Sequence, residues 1–187
     1  DGKVCSIRPH KFGIKDNGSN IYIPWPLIKD QSKTWVLTEG EFKAVASCVY
    51  GVPSLAVPGI SSYAVSKLPA LLEAIRQINP AGLIICFDNE IKDNPKYKNY
   101  KEKYTKRYDA QFYAYVQSKL IEKDLGKDKV AICELPLDYA IDGKVDIDGL
   151  LAKNVTKDDY VAMLHNSVKS NEYRKAWDKL PPLHLSY

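Results

Sequence analysis

Apolar residues along the chain come in short unbroken runs, and stretches of helical spacing separate them. Thr34-Trp35-Val36-Leu37 is such a run; it breaks at Glu39-Gly40, and Glu41 to Val49 follows with helical periodicity. Ser54-Leu55-Ala56-Val57 is a second run ending at Pro58-Gly59, and Leu68 to Ile78 reads as an amphipathic helix stopped by Asn79-Pro80. Leu83 to Phe87 is a third run, leading into Asp88-Asn89-Glu90. A long helix is predicted from Pro95 to about Asp124, closed by Gly126, and Val130 to Cys133 is a fourth run. A short helix near Leu150 and one or two more between Lys157 and Leu180 complete the order. Strands that are apolar throughout are buried on both faces, so the pattern predicts a parallel four-stranded α/β sheet flanked by helices. Ahead of it, Asp16-Asn17-Gly18-Ser19 reads as a hairpin turn and Ile21-Tyr22-Ile23-Pro24 as a short edge strand. The expected division is an N-terminal β-hairpin extension over 1–33, an α/β domain over 34–155 and a helical C-terminal extension over 156–187.

Composition narrows this picture without naming a function. The 187 residues are 45% hydrophobic and 27% charged, enough apolar material for a packed core. No apolar run nears the roughly 18 residues of a membrane span, so no membrane partner is expected. The chain opens Asp1-Gly2-Lys3, with neither an apolar leader nor an initiator Met, and is expected to be a piece of a longer polypeptide. Cys5, Cys48, Cys86 and Cys133 form no C-x-x-C pair, and His10, His165 and His184 lie in unrelated contexts; the reading is a reduced, cytoplasmic protein without a zinc set. A net charge of +4 leaves nucleic acid open as a partner and makes charge distribution the deciding feature. No P-loop, G-x-G-x-x-G or G-x-S-x-G pattern occurs, which leaves those chemistries without support.

The acids fall where a parallel sheet binds ligands, beyond the carboxyl ends of its strands. Glu39 follows the first strand, with Gly40 and then Lys43 on the first helical turn; Asp88 and Glu90 follow the third; Asp146 and Asp148 come after the fourth, past a loop. If strand conformation persists, Asp88 and Glu90 point to one side. Carboxylates so gathered repel, and a divalent cation such as Mg²⁺ is the usual resolution. Each acid taken singly reads as a solvated loop residue or a helix N-cap; their joint placement is the signal.

These residues also carry a resemblance. Val36-Leu37-Thr38-Glu39-Gly40-Glu41-Phe42-Lys43-Ala44 resembles the opening motif of Toprim domains, Leu83 to Glu90 resembles their strand followed by Asp-x-Asp, and Lys144 to Ala152 resembles their late acidic segment. The likeness covers roughly residues 34–153 and is nearest to the toprim-like domain of phage and plasmid primase-helicase replication proteins. It departs at Glu90, which holds the second Asp position, and at Gly149, where relatives often carry a further acid. The resemblance implies a Rossmann-like Toprim fold, with Glu39 as general acid/base and Asp88, Glu90, Asp148 and, less strongly, Asp146 as ligands of Mg²⁺ or Mn²⁺. Gly40, Lys43 and Lys144 would meet phosphate. It further implies single-stranded DNA or another nucleic acid and nucleotides as partners, with a helicase domain or subunit alongside. The topoisomerase branch is set aside, since it needs a tyrosine nucleophile on a separate domain.

Lys92 to Tyr108 holds seven basic residues, two acidic ones and four tyrosines. Tyr100, Tyr104, Tyr108 and Phe112 repeat every four residues, with Tyr115 beyond. On one reading Lys92, Lys96 and Lys101 contact phosphates and the tyrosines stack on bases; the spacing by fours favours the other, a stripe packed on the sheet. Three functions stay open: a primase-like nucleotidyltransferase, a Toprim-type nuclease, and a non-catalytic module that binds nucleic acid or a helicase partner.

Overall fold

A computed structural model describes residues 12–13, 20–64, 66–90 and 109–175. Phe12–Gly13 (β1) and Asn20–Ile21 (β2) pair antiparallel, as the hairpin reading expects, and Tyr22 bridges antiparallel to Ala56 at the sheet edge. Thr34–Glu39 (β3), Glu41–Val49 (α1), Ser54–Val57 (β4), Ile60–Ala64 (α2), Leu68–Ile78 (α3) and Gly82–Ile85 (β5) follow. Next come a two-residue strand at Asn89–Glu90 (β6), Asp109–Leu125 (α4), Val130–Ile132 (β7), Lys144–Val145 (β8), Ile147–Ala152 (α5), Lys157–His165 (α6), Val168–Lys169 (β9) and Ser170–Lys175 (α7).

The main sheet has five strands in the order β4-β3-β5-β7-β9, and its β4, β3, β5 and β7 pairings are parallel. The expected count of four therefore falls one short: β9 adds an antiparallel edge next to β7. Val168 is exposed and β9 is only two residues long, so it carries none of the apolar signature that marked the other strands. The stretch after 156 thus contributes a strand as well as helices. This is a mixed, mostly parallel α/β sheet flanked by helices, Rossmann-like in class.

Both faces of the sheet are covered, as the unbroken runs require. Trp35 and Leu37 of β3 face a core shared with Leu71 and Ile75 of α3 and with Ala114 and Ile121 of α4. Val36, between them, faces a second core with Ala46 of α1, Leu150 of α5 and Tyr160 of α6. Each fully buried aliphatic side chain of this kind contributes about 1.5–3 kcal/mol. Tyr160 also stacks on Tyr50 at 4.5 Å and donates to Ser47 Oγ at 3.0 Å, which fixes α6 to α1. Cys48, Cys86 and Cys133 are free and buried, and burial pushes the Cys48 thiol up to about 11.

The described part of α4 buries Ala110, Ala114, Gln117, Ser118 and Ile121, while Phe112 and Tyr115 are only half-buried. The packed stripe there is offset from the aromatic one. Tyr100, Tyr104, Tyr108 and the start of the expected long helix lie outside the described residues.

Strand order also locates the functional end. From β3 the chain crosses through α1 to β4 on one side; from β5 it crosses through α4 to β7 on the other. The two helices lie on opposite faces, so the carboxyl ends of β3 and β5 flank a topological switch point.

Candidate active site

Glu39 ends β3 at this switch point. Gly40 follows with φ 88° and donates its N–H to the Val57 carbonyl at 3.2 Å. That N–H, which the phosphate expectation would use, is engaged with the sheet here. Its contribution is conformational: positive φ, which a side chain resists, turns the chain from strand directly into α1. Lys43 then projects from the first turn of α1, and its Nζ lies 3.9 Å from where a Gly40 Cβ would stand.

β5 ends at Ile85, and Cys86 donates to the Leu37 carbonyl at 2.9 Å before the chain departs from the sheet. Strand conformation does not persist from β5 through Asp88 to Glu90. Instead Asn89–Glu90 forms β6, an antiparallel ribbon with β8 in which Glu90 is the cross-strand partner of Lys144. The side chain of Glu90 lies outside what is described, as do Lys92, Lys96 and Lys101. Two buried amides hold the Asp88-Asn89 turn: Gln111 Nε2 donates to the Asp88 carbonyl at 3.1 Å, and Asn89 Nδ2 to the Leu135 carbonyl at 2.8 Å.

Asp88 is where the acids and the bases meet. Lys43 Nζ lies 3.2 Å from its Oδ1 and Lys144 Nζ 2.7 Å from its Oδ2, with the Asp88 side chain only 9% exposed. Lys144 also stands 3.5 Å from Asp146 Oδ2. Asp146 is the N-cap of α5, its Oδ1 accepting from the Gly149 N–H at 2.9 Å. Both of its oxygens are thus engaged, one by a helix terminus and one by a lysine. Asp88 Oδ1, although Lys43 stands 3.2 Å away as an ion-pair partner, is buried and accepts no hydrogen bond. Asp148 Oδ1 is buried and has no hydrogen-bond partner.

The electrostatics bind these segments into one site. Burial, and after it the Asp88 carboxylate, push the Glu39 carboxyl above its ordinary value, while Lys43, the Ile60 N–H and Lys144 pull it back. Burial and the Asp146 carboxylate raise Asp148, with Lys43 opposing. Lys43 acts on Glu39, Asp88 and Asp148 together, so acids from three separate segments share one cationic neighbour.

The donor chemistry suits a hard divalent cation: Asp88 and Asp148 each keep one buried carboxylate oxygen without a hydrogen bond. Among the described residues no group of three His, Cys, Asp or Glu is arranged to hold a metal ion. Two ammonium groups balance Asp88.

Gln111 and Asn89 are neighbours of the candidate site that the sequence did not reveal. Asn89 sits inside the acidic motif and could have been noticed there; Gln111, over twenty residues away on α4, gave no signal. A recess of about 230 Å³ opens beside Tyr139, Lys144, Asp146 and Gly149. A larger cavity of about 790 Å³ lies at the opposite end of the strands, beside Thr34, Gly82 and Lys129, away from the acids.

A family model described as "Domain of unknown function (DUF3854)" matches residues 24–112, a stretch that includes Glu39, Gly40, Lys43, Asp88 and Glu90 and stops short of Asp146 and Asp148. No curated protein matches the chain. Among solved structures, the RNA polymerase domain of Mycobacterium tuberculosis primase DnaG is similar at 16% identity with a TM-score of 0.45, over 78% of this chain. The chain spans 40% of that neighbour's length. No helix among the described residues is long and apolar enough to cross a membrane.

Proposed function

We propose that this chain is a Toprim-like domain that performs metal-dependent nucleotidyl or phosphoryl transfer on nucleic acid, in the manner of a primase-like module of a phage or mobile-element replication protein. The observation that carries the proposal is that Lys43 acts on Glu39, Asp88 and Asp148 at the switch point of the sheet, with Lys144 beside Asp88 and Glu39. Acids and lysines so interleaved suit a phosphoryl centre, where a proton must be accepted at one atom and negative charge met at others.

Glu39 is the proton acceptor for the attacking hydroxyl. Its raised carboxyl makes it a better base than an exposed glutamate, and the Ile60 N–H orients it. Asp88 and Asp148 would hold Mg²⁺ or Mn²⁺, which when bound neutralises the charge of the transferring phosphoryl group. Lys43 and Lys144 supply ammonium groups for phosphate oxygens. The basic stretch carrying Lys92, Lys96 and Lys101 tracks the backbone of an unpaired strand, and a helicase module alongside would deliver that strand.

Incubation with single-stranded template, labelled nucleotides and Mn²⁺ tests the proposal. Extended primers support nucleotidyl transfer; a shortened template makes water the nucleophile and the chain a Toprim-type nuclease.

The pairing of both Asp88 oxygens with lysines favours one second reading, a non-catalytic module that binds phosphate through Lys43 and Lys144. Undiminished DNA affinity in EDTA, with no divalent binding, would support it.

A further inference from the structure

We propose that Lys43 and Lys144 occupy the cation position on Asp88 in the metal-free protein, and that a divalent ion enters by exchange with Lys144. The inference rests on the metal-dependent reading above and concerns what this chain's own residues do when the ion arrives.

Each Asp88 oxygen already meets one ammonium group, at 3.2 and 2.7 Å, in a pocket that leaves the Asp88 side chain 9% exposed. An ion bonded to Oδ2 at about 2.0–2.1 Å would fall inside the shell that Lys144 Nζ now fills. Two positive charges at that separation, poorly screened by solvent, repel strongly. One must leave.

Lys144 is placed to be the one that moves. Its side chain is 32% exposed against 15% for Lys43, and it hangs on a flexible four-carbon stem. It also has somewhere to go: Asp146 Oδ2 lies 3.5 Å from the same Nζ. The ammonium can slide from Asp88 to Asp146 without losing its ion pair. Asp146 does not move with it, because its other oxygen caps α5 through the Gly149 N–H. Among the described residues Lys144 thus has two acidic seats, one of which the ion would take. Moved to the second seat, it stands at the rim, where a substrate phosphate can use it.

Calorimetric titration of the full chain with MnCl₂ tests this, comparing wild type with Lys144→Met and Asp88→Asn. Lysine ¹⁵Nζ NMR of the wild type during a MgCl₂ titration gives an independent readout. With exchange, Lys144→Met binds Mn²⁺ roughly tenfold tighter than wild type, the worth of one charged hydrogen bond removed from competition. Asp88→Asn loses the binding, and the Lys144 ammonium signal shifts as Mg²⁺ is added. Equal or weaker Mn²⁺ affinity in Lys144→Met, while wild type binds, overturns the exchange and leaves the metal reading standing. A wild type that binds no Mn²⁺ overturns both. Should Lys144→Met fail to fold, the NMR titration decides: Mg²⁺ binding with an unmoved Lys144 signal overturns the exchange.

Discussion

Gly149 approaches the Asp146 carboxylate so closely that a Cβ there would stand 2.6 Å from Oδ1, the oxygen that accepts its N–H at 2.9 Å. This contact gives a physical reason for a glycine at position 149. Any side chain at 149 would push away the carboxylate that caps α5 and pairs with Lys144 at 3.5 Å.

Gly to Ala inside a helix ordinarily stabilises by roughly 0.5–1 kcal/mol, and loss of an N-cap costs about 0.5–2 kcal/mol. Here the two changes are coupled. Gly149→Ala is expected to be neutral to about 1 kcal/mol destabilising in the wild-type background. In an Asp146→Ala background, where no cap remains to be displaced, it should stabilise. A double-mutant cycle by urea denaturation measures the difference; stabilisation in both backgrounds contradicts the contact.

Glu39 supplies a pH dependence whose sign follows from its raised carboxyl. In EDTA, below the ordinary value of 4.5, the group is protonated in both folded and unfolded chains and costs nothing. As pH rises through and above that value, the unfolded chain releases its proton first, and the folded chain loses relative stability until its own carboxyl ionises. Glu39→Gln should therefore match wild type near pH 4 and exceed it at neutral pH. The gain is expected to stay below about 1 kcal/mol, because the site is partly open to solvent. Thermal melts across pH 4–8 check this, and a gap that opens toward acid instead would contradict it.

Gln111 ties the site to α7. It donates to the Asp88 carbonyl at 3.1 Å and accepts from Tyr173 of α7 at 3.3 Å, and Tyr173 also donates to Glu134. Gln111→Leu leaves a buried carbonyl without its donor and should destabilise by about 1–3 kcal/mol. If the network also holds the Asp88 turn, the turnover rate falls while nucleic-acid affinity does not. Unchanged stability and turnover would show that the amide is incidental.

The lysines of the basic stretch are expected to act through phosphate alone. Replacing Lys92, Lys96 and Lys101 with Gln should weaken binding of any single-stranded DNA sequence alike. The slope of log affinity against log salt should fall by roughly 0.7 for each lysine that meets a phosphate. Fluorescence anisotropy over a salt series measures it; an unchanged slope would place these side chains away from the strand.

Much of the scaffold was legible because its signals are local. Thr34 to Leu37 reads as buried strand from composition alone, and α1 and α3 begin and end where Gly40, Asn79 and Pro80 punctuate the chain. β9 escaped notice because Val168 and Lys169 have no pattern; their strand state comes from β7 beside them. β6 and β8 escaped for the same reason, and with them the pairing that brings Lys144 opposite Glu90. The placement of Glu39 and Asp88 at one rim could be foreseen from strand order. That two lysines would hold Asp88 could not, since Lys43 and Lys144 lie about a hundred positions apart and meet only through the sheet and its ribbon.

The most direct test of the central claim is the rate of Mn²⁺-dependent product formation on single-stranded DNA by wild type and by Glu39→Ala. If Glu39 is the proton acceptor, the variant retains DNA binding and loses about 10²–10⁴ in rate. A variant that forms product as fast as wild type would contradict the account.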